Sequence, residues 1–140
     1  MDLEESRAST KDKIGEEAKE LNKIREEVLV CTKCPLSKSR TIAVPGEGSF
    51  SSEIMFIGEA PGATEDIKGI PFCGAAGKFL DEMLEVIGLG RSDIFITNTV
   101  KCRPPENRDP EDSEKEACRP YLDRQFKAIN PKLIVCLGRH

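Results

Sequence analysis

The sequence predicts an α/β fold built on a parallel sheet, and three observations carry that prediction. Short apolar runs recur three times, EIMFIG at 53–58, DIFITN at 93–98 and KLIVCLG at 132–138. One segment of helical periodicity lies between each consecutive pair. A single helix between strands favours parallel pairing through right-handed crossovers.

Taken in order, residues 1–13 form a polar start, and residues 14–140 form the folded domain. From Glu16 to Val30, Ala18, Leu21, Ile24 and Val28 recur at helical spacing and lead into Cys31. Residues 31–52 read as loop, with two prolines, two glycines and several serines. After the first strand comes GEAPGATED, a tight acidic turn, and then the loop GIPFCGAAG. Ala76, Phe79, Leu80, Met83, Leu84 and Ile87 mark the next helix, which Gly88 and Gly90 stop. Beyond the second strand, VKCRPPENRDP is a loop. Asp109, Pro110 and Asp112 predict the start of a third helix, carried on by Ala117, Tyr121, Gln125 and Ile129 and ended at Asn130-Pro131.

Composition narrows the function classes. With 38% hydrophobic and 33% charged residues, the 140-residue chain is a water-soluble single domain. A net charge of −4 excludes a uniformly basic nucleic-acid binder, though Lys33, Lys38 and Arg40 form a local basic run near Cys31. The N-terminus lacks the apolar centre of a signal peptide, and no apolar run approaches the roughly 18–20 residues of a membrane span. The chain is therefore expected in the cytoplasm, without a membrane partner. Structural disulfides are uncommon there, so six cysteines point first to metal.

Cys31 and Cys34 form C-x-x-C, spaced for two thiolates to chelate one metal centre, and two more thiolates would complete tetrahedral zinc or an iron–sulfur cluster. Cys136, inside an apolar strand, reads as a small buried residue. In parallel sheets ligands bind beyond the carboxyl ends of the strands. That rule gathers GEAPG, Asn98 with its following loop, and the terminal Gly-Arg-His on one edge. Glu59 there can position a water or stabilise developing positive charge. The Asn98 amide suits an imide edge, N–H beside C=O. Phe72 can stack on a planar ring, and Arg103 and Arg108 suit phosphates. Neither glycine-rich stretch fits a P-loop or a dinucleotide fingerprint.

Together GEAPGATED, GIPFCGAAG, TNTVKCRPPENRDP and the four spaced cysteines resemble the iron–sulfur uracil-DNA glycosylases, family 4 of that superfamily, from about Cys31 to the end. The resemblance implies a three-layer α/β/α fold with a four-stranded parallel sheet, of which three strands are visible. It implies a monofunctional hydrolase of base excision repair that releases uracil from single- or double-stranded DNA, acting as a monomer. It implies a structural 4Fe–4S cluster on Cys31, Cys34, Cys102 and Cys118, with zinc the lesser alternative. Glu59 would be the catalytic carboxylate. Gly58, Ala60, Glu65, Phe72, Asn98 and Asn107 would bind uracil, with Phe72 stacking, Asn98 reading N3–H and O4, and Glu65 near C5.

Two departures stand out. Cys73 replaces an apolar residue of the family pattern. The family's downstream motif, with a His on uracil O2 and a loop that enters the duplex, is not in the sequence; His140 does not match it. The chain thus reads as an N-terminal portion, and weak or no activity is expected of it. The competing readings are a non-catalytic iron–sulfur or zinc module that binds nucleic acid, and a redox protein, which leaves GEAPGATED and Asn98 unexplained.

Overall fold

In this computed structural model, which describes residues 3–137 with side chains from residue 15 on, helix α1 spans Leu3–Leu29. It begins well before Glu16, because the polar residues 3–13 contain no proline or glycine and several strong helix formers. Ile24 and Val28 are buried, as their spacing predicts. Arg124 of the last helix grips α1 through Glu20, at 3.0 Å, and Glu27.

The stretch expected to be loop holds two short elements, α2 at Leu36–Ser39 and β1 at Glu47–Gly48. Glycines hid the strand, because Gly is poor in strands unless another backbone approaches closely. Here it does: a Cβ on Gly48 would collide with the Ile94 carbonyl.

β2 covers Ile54–Gly58 and runs into α3 at Ala63–Lys68, a helix where GEAPGATED reads from sequence as a tight acidic turn. Helix α4, Ala75–Val86, buries Gly77, Leu80 and Leu84 and leaves Phe79 and Met83 exposed. β3 is Phe95–Asn98. Helix α5 spans Asp112–Ile129 and is capped by Glu111, not by Asp109, because the Glu114 carboxylate accepts the Glu111 N–H at 2.8 Å. Asn130 ends it in the left-handed region, at φ 50°, its N–H bonded to the Phe126 carbonyl. β4 is Leu133–Cys136.

The sheet order is β1-β3-β2-β4. β2 pairs in parallel with both β3 and β4, as predicted. β1 adds an antiparallel edge, so the sheet is mixed and not purely parallel. Phe56, Ile94 and Ile96 pack against Leu80 and Leu84 of α4 on one face. Met55 and Phe95 pack against Ile129 of α5 and Leu21 of α1 on the other, which makes three layers. Cys136 is exposed, contrary to the expectation of burial, because β4 forms the sheet edge. Gly138, Arg139 and His140 lie outside the described residues. No described helix is long and apolar enough to cross a membrane.

Candidate active site and cysteine cavity

The parallel register sets Gly58 beside Asn98 at the carboxyl ends of β2 and β3. The chains stay zipped beyond the sheet, Thr99 N–H to the Gly58 carbonyl at 2.9 Å and Val100 N–H to the Glu59 carbonyl at 3.0 Å. Asn98 is buried, and its Oδ1 has no hydrogen-bond partner among the described residues. Leaving a buried acceptor unpaired costs roughly 1–3 kcal/mol, so the atom is poised for a donor from outside. Only glycine fits beneath it. A Cβ on Gly58 would lie 2.5 Å from Asn98 Oδ1 and run into the Phe72 ring. Ala60, Glu65, Phe72, Ala76 and Asn98 enclose a cavity of about 120 Å3.

Phe72 adopts φ 49°, a conformation a bulky residue avoids, worth on the order of 1–3 kcal/mol of strain. Its loop is stapled on one side by Glu65. One carboxylate oxygen accepts Gly62 N–H at 3.0 Å, and the other accepts Cys73 N–H at 3.0 Å and Gly74 N–H at 2.8 Å. Burial, and then the neighbouring Glu65, push the Cys73 thiol pKa up. On the far side Arg91 donates to the carbonyls of Pro71 and Phe72.

A wider cleft of about 550 Å3 shares Ala60, Phe72 and Ala76 with the small cavity. Glu59 lines it, half-buried, with Lys115 Nζ 3.7 Å from its carboxylate. Asn107 faces the same cleft from the opposite loop at φ 58°, its Oδ1 accepting Arg103 Nε at 2.9 Å. Arg108 forms a two-pronged pair with Glu114, at 2.8 and 2.9 Å. Hydrogen bonding from Arg108 holds the Glu114 carboxyl below its ordinary pKa. Both arginines read from the sequence as phosphate contacts are thus engaged within their own chain. Gly58, Glu59, Ala60, Glu65, Phe72 and Asn98 meet at one sheet edge, with Asn107 across the cleft.

Cys31, Cys34, Cys102 and Cys118 line a second cavity, walled also by Arg40, Lys101 and Tyr121. All six cysteines are free thiols; Cys73 and Cys136 are not part of that wall. Among the described residues no three Cys, His, Asp or Glu side chains converge tightly enough for a single ion. Arg40 Nη1 donates to Cys102 Sγ at 3.0 Å, and Lys101 N–H to Cys118 Sγ at 3.3 Å. Burial raises the Cys102 thiol and pushes Cys118 up to about 11.

Sequence reasoning missed the supports of both cavities. Lys101 in KCRPP reads as one more surface base, yet it is buried, and burial lowers its ammonium to about 7. Its Nζ reaches Asn98 O at 2.5 Å, Thr97 Oγ1 at 2.7 Å and Gln125 Oε1 at 2.8 Å. Arg91 and Gly77 carry no local signal either, since their partners are remote in sequence. Only Arg40 was foreshadowed, by the basic run beside C-x-x-C.

A profile of the uracil DNA glycosylase superfamily matches residues 45–140. The type-4 uracil-DNA glycosylase of Sulfurisphaera tokodaii is 63% identical over 121 residues, 86% of this chain and 55% of that protein. Those of Saccharolobus solfataricus, 60% identical over 86% of the chain and 56% of the protein, and Archaeoglobus fulgidus, 58% over 85% and 60%, are similar too. The chain therefore spans 55–60% of the length of these relatives.

Proposed function

Because this chain belongs to the uracil DNA glycosylase superfamily, we propose that its small cavity receives a uracil flipped out of DNA and that the surrounding residues release it by hydrolysis. The unpartnered, buried Oδ1 of Asn98 carries this reading. Uracil presents N3–H beside the C4 carbonyl, so Oδ1 accepts the first while the side-chain amide donates to the second. Cytosine presents the reverse pattern and would leave two buried groups facing their like, a strong basis for rejection. The Phe72 ring is the stacking face, and Glu65 and Ala60 complete the wall. Extruding the base costs a few kcal/mol, offset by these contacts.

Glu59 lies in the wider cleft, where the sugar of a bound nucleotide would sit. The C1′–N1 bond breaks with its electron pair leaving on N1, and positive charge gathers at the sugar. The Glu59 carboxylate stabilises that charge and takes a proton from the water whose oxygen bonds C1′. N1 of the departing base is protonated from solvent. Lys115, beside Glu59, is suited to a phosphate of the strand.

The donor set of the second cavity fits a metal cluster: four thiols on one wall, two of them already accepting N–H hydrogen bonds. We read Cys31, Cys34, Cys102 and Cys118, which all line this cavity, as the holders of a 4Fe–4S cluster in preference to zinc, on the resemblance of the chain's motifs to the iron–sulfur family. Such a cluster would supply cross-linking, joining the end of α1, the loop after β3 and α5.

The test is uracil release from a labelled single-stranded oligonucleotide, together with binding of that oligonucleotide, using anaerobically purified protein. Release or uracil-dependent binding that Asn98→Asp abolishes supports the reading, with release alone lost in Glu59→Gln. Folded, cluster-loaded protein that neither releases uracil nor distinguishes it from thymine overturns it.

A further inference from the structure

Phe72 sits at φ 49°, and the Glu65 staple on the Cys73 and Gly74 N–H groups holds only the residues that follow it. On the pocket side its ring presses against Gly58. On the other side two successive carbonyls share one guanidinium: Arg91 Nη1 donates to Pro71 O at 2.8 Å, and Nη2 donates to Phe72 O. Arg91 opens the short 3-10 turn that leads into β3, so the contact is wholly tertiary. Its remaining Nε donates to Asp81 Oδ1 of α4 at 2.6 Å. Gly77 completes the arrangement, since a Cβ there would collide with the Phe72 carbonyl. A guanidinium presents its donors in a rigid plane, so three acceptors on two elements fix that plane and, through it, the Phe72 backbone.

We infer that Arg91, oriented by Asp81, is a positioning residue that sets the height of the Phe72 ring over the cavity and hence the grip on a planar base. The inference rests on the reading that the cavity binds uracil. Arg91 touches no substrate atom; it acts through Phe72. A merely stabilising arginine behaves differently: its loss lowers the melting temperature and leaves the affinity of the folded fraction unchanged.

Uracil affinity is measured by calorimetry, well below each melting midpoint, for the wild-type chain, Arg91→Ala, Phe72→Ala and the double variant. We expect Arg91→Ala to weaken binding about tenfold or more, and the double variant to bind no more weakly than Phe72→Ala alone, the non-additivity of residues that act as one. Arg91→Lys is expected to recover only part, because one ammonium cannot serve both carbonyls in a fixed plane. Asp81→Asn, at a more exposed position, shifts affinity the same way by less and serves if Arg91→Ala does not fold. Additive losses, or unchanged affinity in Arg91→Ala, overturn the inference. A crystal structure of the variant decides independently of uracil: Phe72 leaving the left-handed region supports the inference, and Phe72 unmoved overturns it. Wild-type protein with no uracil affinity overturns the uracil reading, while that crystal structure still decides whether Arg91 sets Phe72.

Discussion

Lys101 places its ammonium 2.5 Å from the main-chain carbonyl of Asn98, and its own amide N–H reaches Cys118 Sγ at 3.3 Å. One buried residue therefore joins the end of β3, where the Asn98 amide stands, to the wall of the cysteine cavity. Thr97 and Gln125 complete the network, and Gln125 donates on to the Pro45 carbonyl at 2.6 Å.

Lys101→Met keeps an unbranched side chain, one atom shorter, and deletes the donor. It leaves the Asn98 carbonyl buried without that partner, a loss of roughly 1–3 kcal/mol. Urea denaturation is expected to show the midpoint falling with the slope unchanged. A midpoint equal to wild type would show that the network contributes nothing to stability.

Gly58→Ala is expected to fold poorly or to fold with the pocket closed, because the new methyl meets Asn98 Oδ1 and the Phe72 ring. In folded protein, uracil affinity should drop at least about tenfold, or ~1.4 kcal/mol. Calorimetric titration that finds undiminished affinity would place the base elsewhere.

Glu114 is held below its ordinary pKa chiefly by hydrogen bonding from Arg108. Its folded pKa is thus lower than its unfolded one, near the usual ~4.3 of a glutamate. The linked stability is fully present above that value and is lost as pH falls through the folded pKa. Melting curves should therefore separate wild type from Glu114→Gln at pH 7, with the wild type higher, and converge in strong acid. A gap independent of pH would assign the effect to the cap at Glu111 and not to the charge.

Replacing Cys31 and Cys34 together by Ala removes half of the thiols that line the second cavity. Anaerobically purified wild type should be brown and lose its broad visible absorbance in this variant. Metal analysis that finds stoichiometric zinc and no iron in a colourless wild type would reject the cluster. Arg40→Met should leave the colour present but more readily lost to oxidants, since it strips the hydrogen bond from Cys102 Sγ.

The sequence made the three parallel strands legible because apolar β-branched runs and helical spacing are local patterns. The same patterns placed Asn98 and GEAPG on one edge, while the grouping of the four cysteines came from the resemblance to a family. What it concealed depends on contacts between distant segments. β1 was hidden because Gly46 and Gly48 carry φ of 121° and 133°, values no strand propensity anticipates. Helix α3 was hidden because its capping glutamate reads equally well as a pocket acid. Cys136 was misread because burial within an apolar run depends on what covers the strand. Arg91 and Lys101 look like surface bases until the fold brings carbonyls to them.

Glu65 occupies a hollow of three backbone amides, those of Gly62, Cys73 and Gly74. Successive N–H groups pointing into one concavity attract anions, and here the chain supplies its own. The carboxylate is thus a tethered counter-ion, present at an effective concentration no free solute reaches. Removing it would convert a closed loop junction into a receptor for buffer chloride or phosphate, and the order of the Phe72 loop would then track the salt in the solution.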